Sequence, residues 1–389
     1  MSRGPASRIR VGLALACAGL TAGCGTQAAT VAVSRPPAMT ASLSTSLTTA
    51  QGTWAITVMG GSAASHNNFW QLFVRRANTG RWSLATPEGV ADNGGLVAAG
   101  GNGSLVVGFR PSQELAYSPL ATSTDAGLNW TPGLLDAALA DTPGAIAVGP
   151  SGRTLALLQD GTIEAAPTAD DAAAGRWVPV ATLTALAASA PGRSCGLTGM
   201  TAVSFGPDQN PIAAGSCVRP GAAGVFTDAG GTWRSAGLTL PTGGPDMGTV
   251  RVLGLTAIPG GNAALLAVGN SLLAAWWDGT RWTVSAPVTA DGVRAVGFGP
   301  GGSAWLLLNR ERAETIAGTA GSTWRALPSV PAGTTVLAPP GTGTRAPGTG
   351  GSYDALAVSG SRLTVWRLAR GAWGKVQQIT VPVQYGSSG

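Results

Sequence analysis

Lysine is almost absent from this chain: among 389 residues only Lys375 carries an ammonium group, and His66 is the single imidazole. Charged residues make up 11% of the whole, less than half the usual share. No run of Lys or Arg occurs, which leaves neither an electrostatic footprint for nucleic acid nor a polybasic patch for a membrane surface. Much of the net charge of +6 comes from Arg3, Arg8 and Arg10 at the N-terminus, outside any folded domain. With Cys17 and Cys24 in the N-terminal segment, Cys195, Cys217 and the single His66 are too few for a structural zinc cluster, and neither a metal nor another cofactor is expected. Long apolar runs are missing too. The stretch Val11 to Leu20 is well short of the roughly 20 residues a membrane-spanning helix needs.

What stands at the N-terminus instead is the pattern of an export signal, with three arginines ahead of that short apolar stretch. It ends in Leu20-Thr21-Ala22-Gly23-Cys24, which resembles the bacterial lipoprotein box, where small residues precede a cysteine that is diacylated and becomes the mature N-terminus. Thr21 stands where that pattern has leucine. The resemblance implies lipidation at Cys24, a cell-membrane location on the extracytoplasmic side, and a signal peptide over residues 1–24. Residues 25–51, rich in Ser, Thr and Ala, read as a flexible tether. Cys195 and Cys217 would then meet an oxidising compartment, where a disulfide is expected; two buried free thiols are the alternative.

Glycine and proline are plentiful, at 59 and 26 residues, and they punctuate short apolar runs. A tryptophan closes a glycine-containing turn seven times, at Trp82, Trp130, Trp177, Trp233, Trp282, Trp324 and Trp373, with a spacing of about 48 residues, the length of one four-stranded blade. Blade three shows the order plainly: Ala145 to Val148, the turn Gly149-Pro150-Ser151-Gly152, Thr154 to Leu158, Asp160-Gly161, Thr162 to Glu164, and then Gly175-Arg176-Trp177. Short apolar segments bounded by such breakers are antiparallel strands. No segment carries a helical period. The expected fold is therefore all-β, a seven-bladed β-propeller of four-stranded antiparallel blades over residues 52–389. Blade one lacks a clear first strand, so the C-terminal stretch Ile379 to Tyr385 is expected to pair into it and close the ring. Residues 340–351 read as a loop of blade seven.

Two turns carry more than glycine and tryptophan. Ser123, Asp125, Gly127 and Trp130 in one, and Asp228, Gly230, Thr232 and Trp233 in the other, resemble the Asp-box (BNR repeat), Ser-x-Asp-x-Gly-x-Thr-Trp, of bacterial sialidases, the sortilin propeller and photosystem-assembly-factor-like propellers. Asp278-Gly279-Thr280-Arg281-Trp282 is a shortened form. In such a turn Asp caps backbone N–H groups and Gly supplies a positive φ. The box is expected to brace the turn between third and fourth strands; ligand binding is the other reading.

The resemblance also raises the question of a sialidase-like glycoside hydrolase, which needs clustered arginines, a Tyr/Glu pair and an acidic Asp. The chain supplies few candidates: Tyr117, Tyr353 and Tyr385, the carboxylates Asp246, Asp291 and Asp354, and Arg251 and Arg294 on strands expected to line the channel. No catalytic residue is assigned. The aromatic pairs Phe69-Trp70 and Trp276-Trp277 offer stacking surfaces or inter-blade core. The expected function is a monomeric, non-catalytic binding or assembly module that meets a protein or carbohydrate at its loops or channel mouth, with an exported hydrolase as the alternative.

Overall fold

In the computed structural model, residues 45–60, 69–77, 79–87, 95–100, 103–109, 120–132, 143–240, 248–289, 292–340 and 352–381 are described. They form seven antiparallel sheets, each built from strands consecutive in the chain. This is the seven-bladed propeller that the tryptophan spacing predicts.

Blade one holds β1 (Thr45–Thr48), β2 (Gly52–Met59), β3 (Phe69–Arg76) and β4 (Trp82–Leu84). Blade two holds β5 (Gly95–Ala99), β6 (Leu105–Phe109), β7 (Leu120–Ser123) and β8 (Thr131–Pro132). Blade three holds β9 (Ala145–Val148), β10 (Thr154–Leu157), β11 (Ile163–Ala166) and β12 (Val178–Ala181), with helix α1 (Ala169–Ala173) before its last strand. Helices α2 (Leu183–Ala188) and α3 (Ala190–Cys195) lead into blade four, β13 (Leu197–Phe205), β14 (Pro211–Cys217), β15 (Ala223–Asp228) and β16 (Trp233–Ser235). Blade five runs β17 (Val250–Ile258), β18 (Gly261–Val268), β19 (Ser271–Trp277) and β20 (Trp282–Val284), with a short β21 (Val288–Thr289) also pairing β19. Blade six is β22 (Val293–Phe298), β23 (Ala304–Leu308), β24 (Ala313–Ile316) and β25 (Arg325–Ala326). Blade seven is β26 (Thr334–Ala338), β27 (Asp354–Ser359), β28 (Arg362–Ala369) and β29 (Ala372–Thr380).

The turn from first to second strand repeats its hydrogen bonding. The N–H groups of Gly100, Gly149, Gly206 and Gly299 each donate to the carbonyl four residues on, at Ser104, Arg153, Asn210 and Ser303, over 2.7–2.8 Å. The residue just before that acceptor has a positive φ: Gly103, Gly152, Gln209 and Gly302, between 60° and 85°. Glycine meets this demand without a Cβ clash, and Gln209 is the one departure.

Between the blades lies the core. Each of the seven tryptophans packs into an apolar cluster shared with the preceding blade: Trp130 against Trp54 and Leu72, Trp177 against Val106 and Leu120, Trp282 against Ala214 and Val225. Three of these indoles also donate across the junction, Trp282 to the Ala236 carbonyl and Trp373 to the Pro328 carbonyl, both at 3.1 Å, and Trp82 to the Asp354 carboxylate at 2.9 Å. The tryptophans thus wedge neighbouring blades together as well as closing their own turns.

Three expectations are corrected. Ile379 and Thr380 do not pair into blade one, because β29 pairs with β28 of its own blade, Ile379 opposite Leu363 and Thr380 opposite Arg362, while residues 382–385 of that stretch lie outside the described residues. Blade one instead takes its first strand from residues 45–48, inside the stretch read as tether, so the propeller includes these residues. The sequence Thr-Ser-Leu-Thr is too short and too polar to announce a buried strand, yet Ser46 is only 4% exposed. Helices are also present. Each spans five or six residues, too few for a 3.6-residue period to show, and their signal lies in the caps. The hydroxyls of Thr168, Thr182 and Ser189 accept from the N–H three residues on, and α3 ends at Gly196 with φ 69°.

Cys195 and Cys217 form a disulfide, which joins the end of α3 to the end of β14. No helix of the described residues is long and apolar enough to cross a membrane. Cys24 and the rest of the signal lie outside the described residues, as does the loop 341–351.

Candidate functional site

In a four-stranded antiparallel meander, the first-to-second and third-to-fourth turns of every blade share one face of the ring. A cavity of about 760 Å³ opens toward that face. It is walled by the late parts of the inner strands, residues 201–207 at β13 and 253–260 at β17, together with β1, β5, β9 and β22. Each inner strand is paired on one side only, so its other edge offers main-chain N–H and C=O groups to the cavity. The described residues of blade seven contribute no wall, because β1 sits over β26: the Ser46 hydroxyl donates to the Leu337 carbonyl at 2.6 Å, and Val336 to Ala338 are fully buried.

Among the described residues, no ionisable side chain lines this cavity. Its walls are Ala, Val, Leu, Ile, Gly and Pro with Phe205 and Phe298, and its polar side chains are hydroxyls, three of them on β1 at Thr45, Ser46 and Thr48 and a fourth just after it at Thr49. Arg251 and Arg294, expected as channel charges, stand instead at the opposite ends of β17 and β22. Arg294 donates to the Thr334 carbonyl at 2.9 Å and so ties blade six to blade seven.

Of the remaining catalytic candidates, Asp354 and Tyr353 are among the described residues. Asp354 is fully buried on β27, at the junction of blades seven and one, where its Oδ1 accepts from Arg367 Nε (2.7 Å) and its Oδ2 from Arg75 Nη1 (2.5 Å) and Trp82 Nε1 (2.9 Å). Tyr353 is mostly buried, and that burial pushes its phenol up to about 12, away from what a nucleophile at neutral pH needs. Asp246, Asp291, His66, Tyr117 and Tyr385 lie outside the described residues. Among those described, no group of three His, Cys, Asp or Glu side chains is placed to hold a metal ion. Three of these four aromatics belong to the core: Phe69 and Trp70 are 2% exposed, and Trp276 donates its indole N–H to the Gly302 carbonyl of blade six at 3.1 Å, whereas Trp277 is half-buried with its ring 5.6 Å from that of Trp282.

The box residues serve their own turns. Asp125 Oδ1 accepts from the N–H groups of Leu128 (3.0 Å) and Asn129 (2.9 Å), and its Oδ2 from the Asn129 side chain (2.6 Å). The Ser123 hydroxyl donates to Asp125 Oδ1 and accepts from the N–H of Gly127, which has φ 78°. At Gly127 a Cβ would stand 3.3 Å from the Trp130 ring. Asp228 accepts from the N–H of Gly231 at 2.7 Å beside Gly230 and Thr232, and Trp233 packs into the core shared with blade three. Asp278 of the shortened turn does the same for Thr280 and Arg281, both at 2.9 Å.

These donors hold Asp125 at about 2, the Asn129 N–H foremost, against an ordinary 3.8. A carboxylate whose folded pKa is depressed stabilises above its unfolded pKa, and that contribution is lost as pH falls through the folded value. Asp125→Asn is therefore expected to cost about 0.5 kcal/mol at pH 7, small because the turn is solvated, and almost nothing at pH 2. Urea midpoints of both proteins at the two pH values check this; a gap that does not narrow with acid would contradict it.

No family model and no curated protein matches the chain. Solved structures do. A protein from Lactobacillus plantarum aligns with a TM-score of 0.51 at 12% identity, covering 84% of this chain and 96% of that one. YCF48 from Cyanidioschyzon merolae aligns at 0.44 and 17% identity over 86% and 95%. A putative 6-phosphogluconolactonase from Bacteroides uniformis ATCC 8492 aligns at 0.48 and 13% identity over 86% and 98%. At such identities the likeness concerns the fold, and the class that fold and site define here is a β-propeller with an uncharged central cavity.

Proposed function

We propose that this chain is a membrane-anchored, extracytoplasmic β-propeller that binds or assembles a partner without transforming it. The observation that carries this reading is the cavity itself, large enough for a ligand of ordinary size yet lined, among the described residues, by no acid, base or ionisable nucleophile. An uncharged wall of aliphatic groups, hydroxyls and open strand edges favours a neutral partner, either a protein segment or a carbohydrate, at the mouth. The box carboxylates are occupied by their own turns and Asp354 by its arginines, which withdraws them from acid–base work. Anchoring rests on Cys24 and the pattern before it. The competing reading, an exported sialidase-like hydrolase, has no feature of the described residues in its favour.

Two arms test the proposal. A photo-crosslinking residue at Ala257, exposed on the cavity rim, should yield a discrete adduct in the native membrane fraction, whereas the same residue at Val376 on the outer flank should not. Turnover of fluorogenic sialosides or glucans that vanishes on Asp246→Asn or Asp291→Asn would overturn the non-catalytic reading. For the anchor, a palmitate analogue should label the wild type and not Cys24→Ala; equal labelling would overturn lipidation.

A further inference from the structure

Six of the seven blade junctions are crossed by the chain itself, because each blade hands over to the next. The seventh, between blades seven and one, has no covalent link and no strand pairing across it, since β1 pairs within blade one and β29 within blade seven. Among the described residues, a single main-chain hydrogen bond from Gly60 to Gly360, at 2.9 Å, crosses it, and the other contacts that hold this seam are made by side chains.

The side chains used there differ from those elsewhere. Asp354, 0% exposed, sits between Arg75 and Arg367, with the Trp82 indole N–H as a further donor. Arg75, itself nearly buried, spends its second amino group on Thr53 Oγ1 (3.1 Å) and the Pro339 carbonyl (2.8 Å), so one guanidinium grips both blades. Arg367 reaches the Gly80 carbonyl of blade one at 3.3 Å. The Gln377 amide of β29 pairs with both main-chain groups of Trp82, accepting from its N–H at 3.0 Å and donating to its carbonyl at 2.7 Å, as a neighbouring strand would. The hydroxyls of Thr57 and Thr335 meet at 2.6 Å. The other ion pairs among the described residues, Arg176 with Asp171, Arg281 with Asp278 and Arg312 with Glu314, join near neighbours in sequence, and none crosses a junction. Other junctions are tied by donors to carbonyls, neutral ones such as Trp282 to Ala236 and Asn262 to Phe205, and the guanidinium groups of Arg76 to Ala126 and Arg294 to Thr334, none of them part of an ion pair across the junction.

We propose that the ring is closed by a charged latch centred on Asp354, and that the seam between blades seven and one is the place where the ring opens. The physics favours two states over a gradual loosening. Closed, the carboxylate and the guanidinium of Arg75 are out of water and tolerable only because they are paired. Once the seam parts, water solvates each charge separately, which removes the reason to re-pair until the whole network can be rebuilt. An apolar junction has no such alternative, because parting it only exposes hydrocarbon. The covalently open junction is thus the one at which the open state is best hydrated and the closed state depends most on geometry.

Hydrogen exchange followed by mass spectrometry tests this on the full chain. In Asp354→Asn, amides of β1, β2, β26 and β27 should exchange faster by on the order of a hundredfold, the factor that breaking one partner of a buried pair corresponds to, while β13 to β19 across the ring keep their protection. In Gln377→Ala, which unpairs no charge, the same strands should gain roughly fivefold; this variant carries the test if Asp354→Asn does not fold. Adding Thr57→Cys and Thr335→Cys and oxidising them should bolt the seam and restore protection to β1 and β26 in either background. Faster exchange spread evenly over all seven blades, unchanged exchange at the seam, or a bolted protein that stays unprotected there would each overturn the latch.

Discussion

Trp82→Ala is expected to be the most damaging of the seven tryptophan substitutions, with a loss of about 3–5 kcal/mol from the emptied core site. The seven positions look alike in sequence, each a tryptophan ending a glycine turn, but the fold makes them unequal. Trp82 is 2% exposed, whereas the other six are only half-buried. Its ring packs in the cluster that joins blades seven, one and six, with the Arg75 guanidinium 5.4 Å from the ring centroid. Its indole N–H is one of the donors that satisfy the sealed carboxylate of Asp354. Truncation removes apolar surface and a donor to a buried anion together, and the second loss alone is worth about 1–3 kcal/mol. Trp82→Phe separates the two, since it keeps most of the apolar bulk and should lose only the second amount. Trp373→Ala should cost markedly less than Trp82→Ala, because half its ring already faces water and its N–H meets a single carbonyl. Urea unfolding of the three variants checks the order; equal losses for Trp82→Ala and Trp373→Ala would contradict it.

That inequality marks how far the residues speak for themselves. The blade count is legible because the turn that ends in tryptophan is a local object: Asp125 reaches the N–H groups three and four residues on, and Gly127 supplies the positive φ in between. Ring closure is not local. Arg75 and Asp354 are 279 residues apart in the chain and meet only when the ring is complete, so no pattern around either announces the other. The first strand of blade one escapes notice for a different reason. Its partners are β2 and the blade-seven strand beneath it, which bury hydroxyls that in isolation read as linker composition. Arg251 and Arg294 are on inner strands, as expected, but which end of a strand faces the cavity depends on how deep the blades close around it, and both fall at the end away from it. The cavity's lack of charge was foreshadowed by the Ala, Val, Leu and Gly of those strands; its lopsidedness, with β1 supplying hydroxyls, was not.

Removing the disulfide, by Cys195→Ala with Cys217→Ala, should lower stability by about 3 kcal/mol, the loop-closure entropy of a bridge of this span. The interval of 56 residues between Trp177 and Trp233 is the longest of the seven-fold repeat, and the excess is used for α2 and α3. Two main-chain bonds run beside the bridge, from the N–H of Val218 to the Gly196 carbonyl at 2.9 Å and of Arg219 to the Cys195 carbonyl at 3.1 Å. Leu183 and Leu186 of α2 anchor the same segment in the core shared by blades three and four. With these contacts remaining, the ring should survive loss of the sulfurs, and the penalty should come from the freed unfolded chain rather than from a collapsed blade. Alanine is the informative replacement because Cys217 is fully buried, and serine would add an unsatisfied hydroxyl to the count. A reductant should shift the wild-type urea midpoint down to that of the double variant and leave the variant where it was. Coincident midpoints for oxidised and reduced wild type would show that the bridge adds nothing, and would remove one physical reason for the proposed extracytoplasmic location, where such a bond persists.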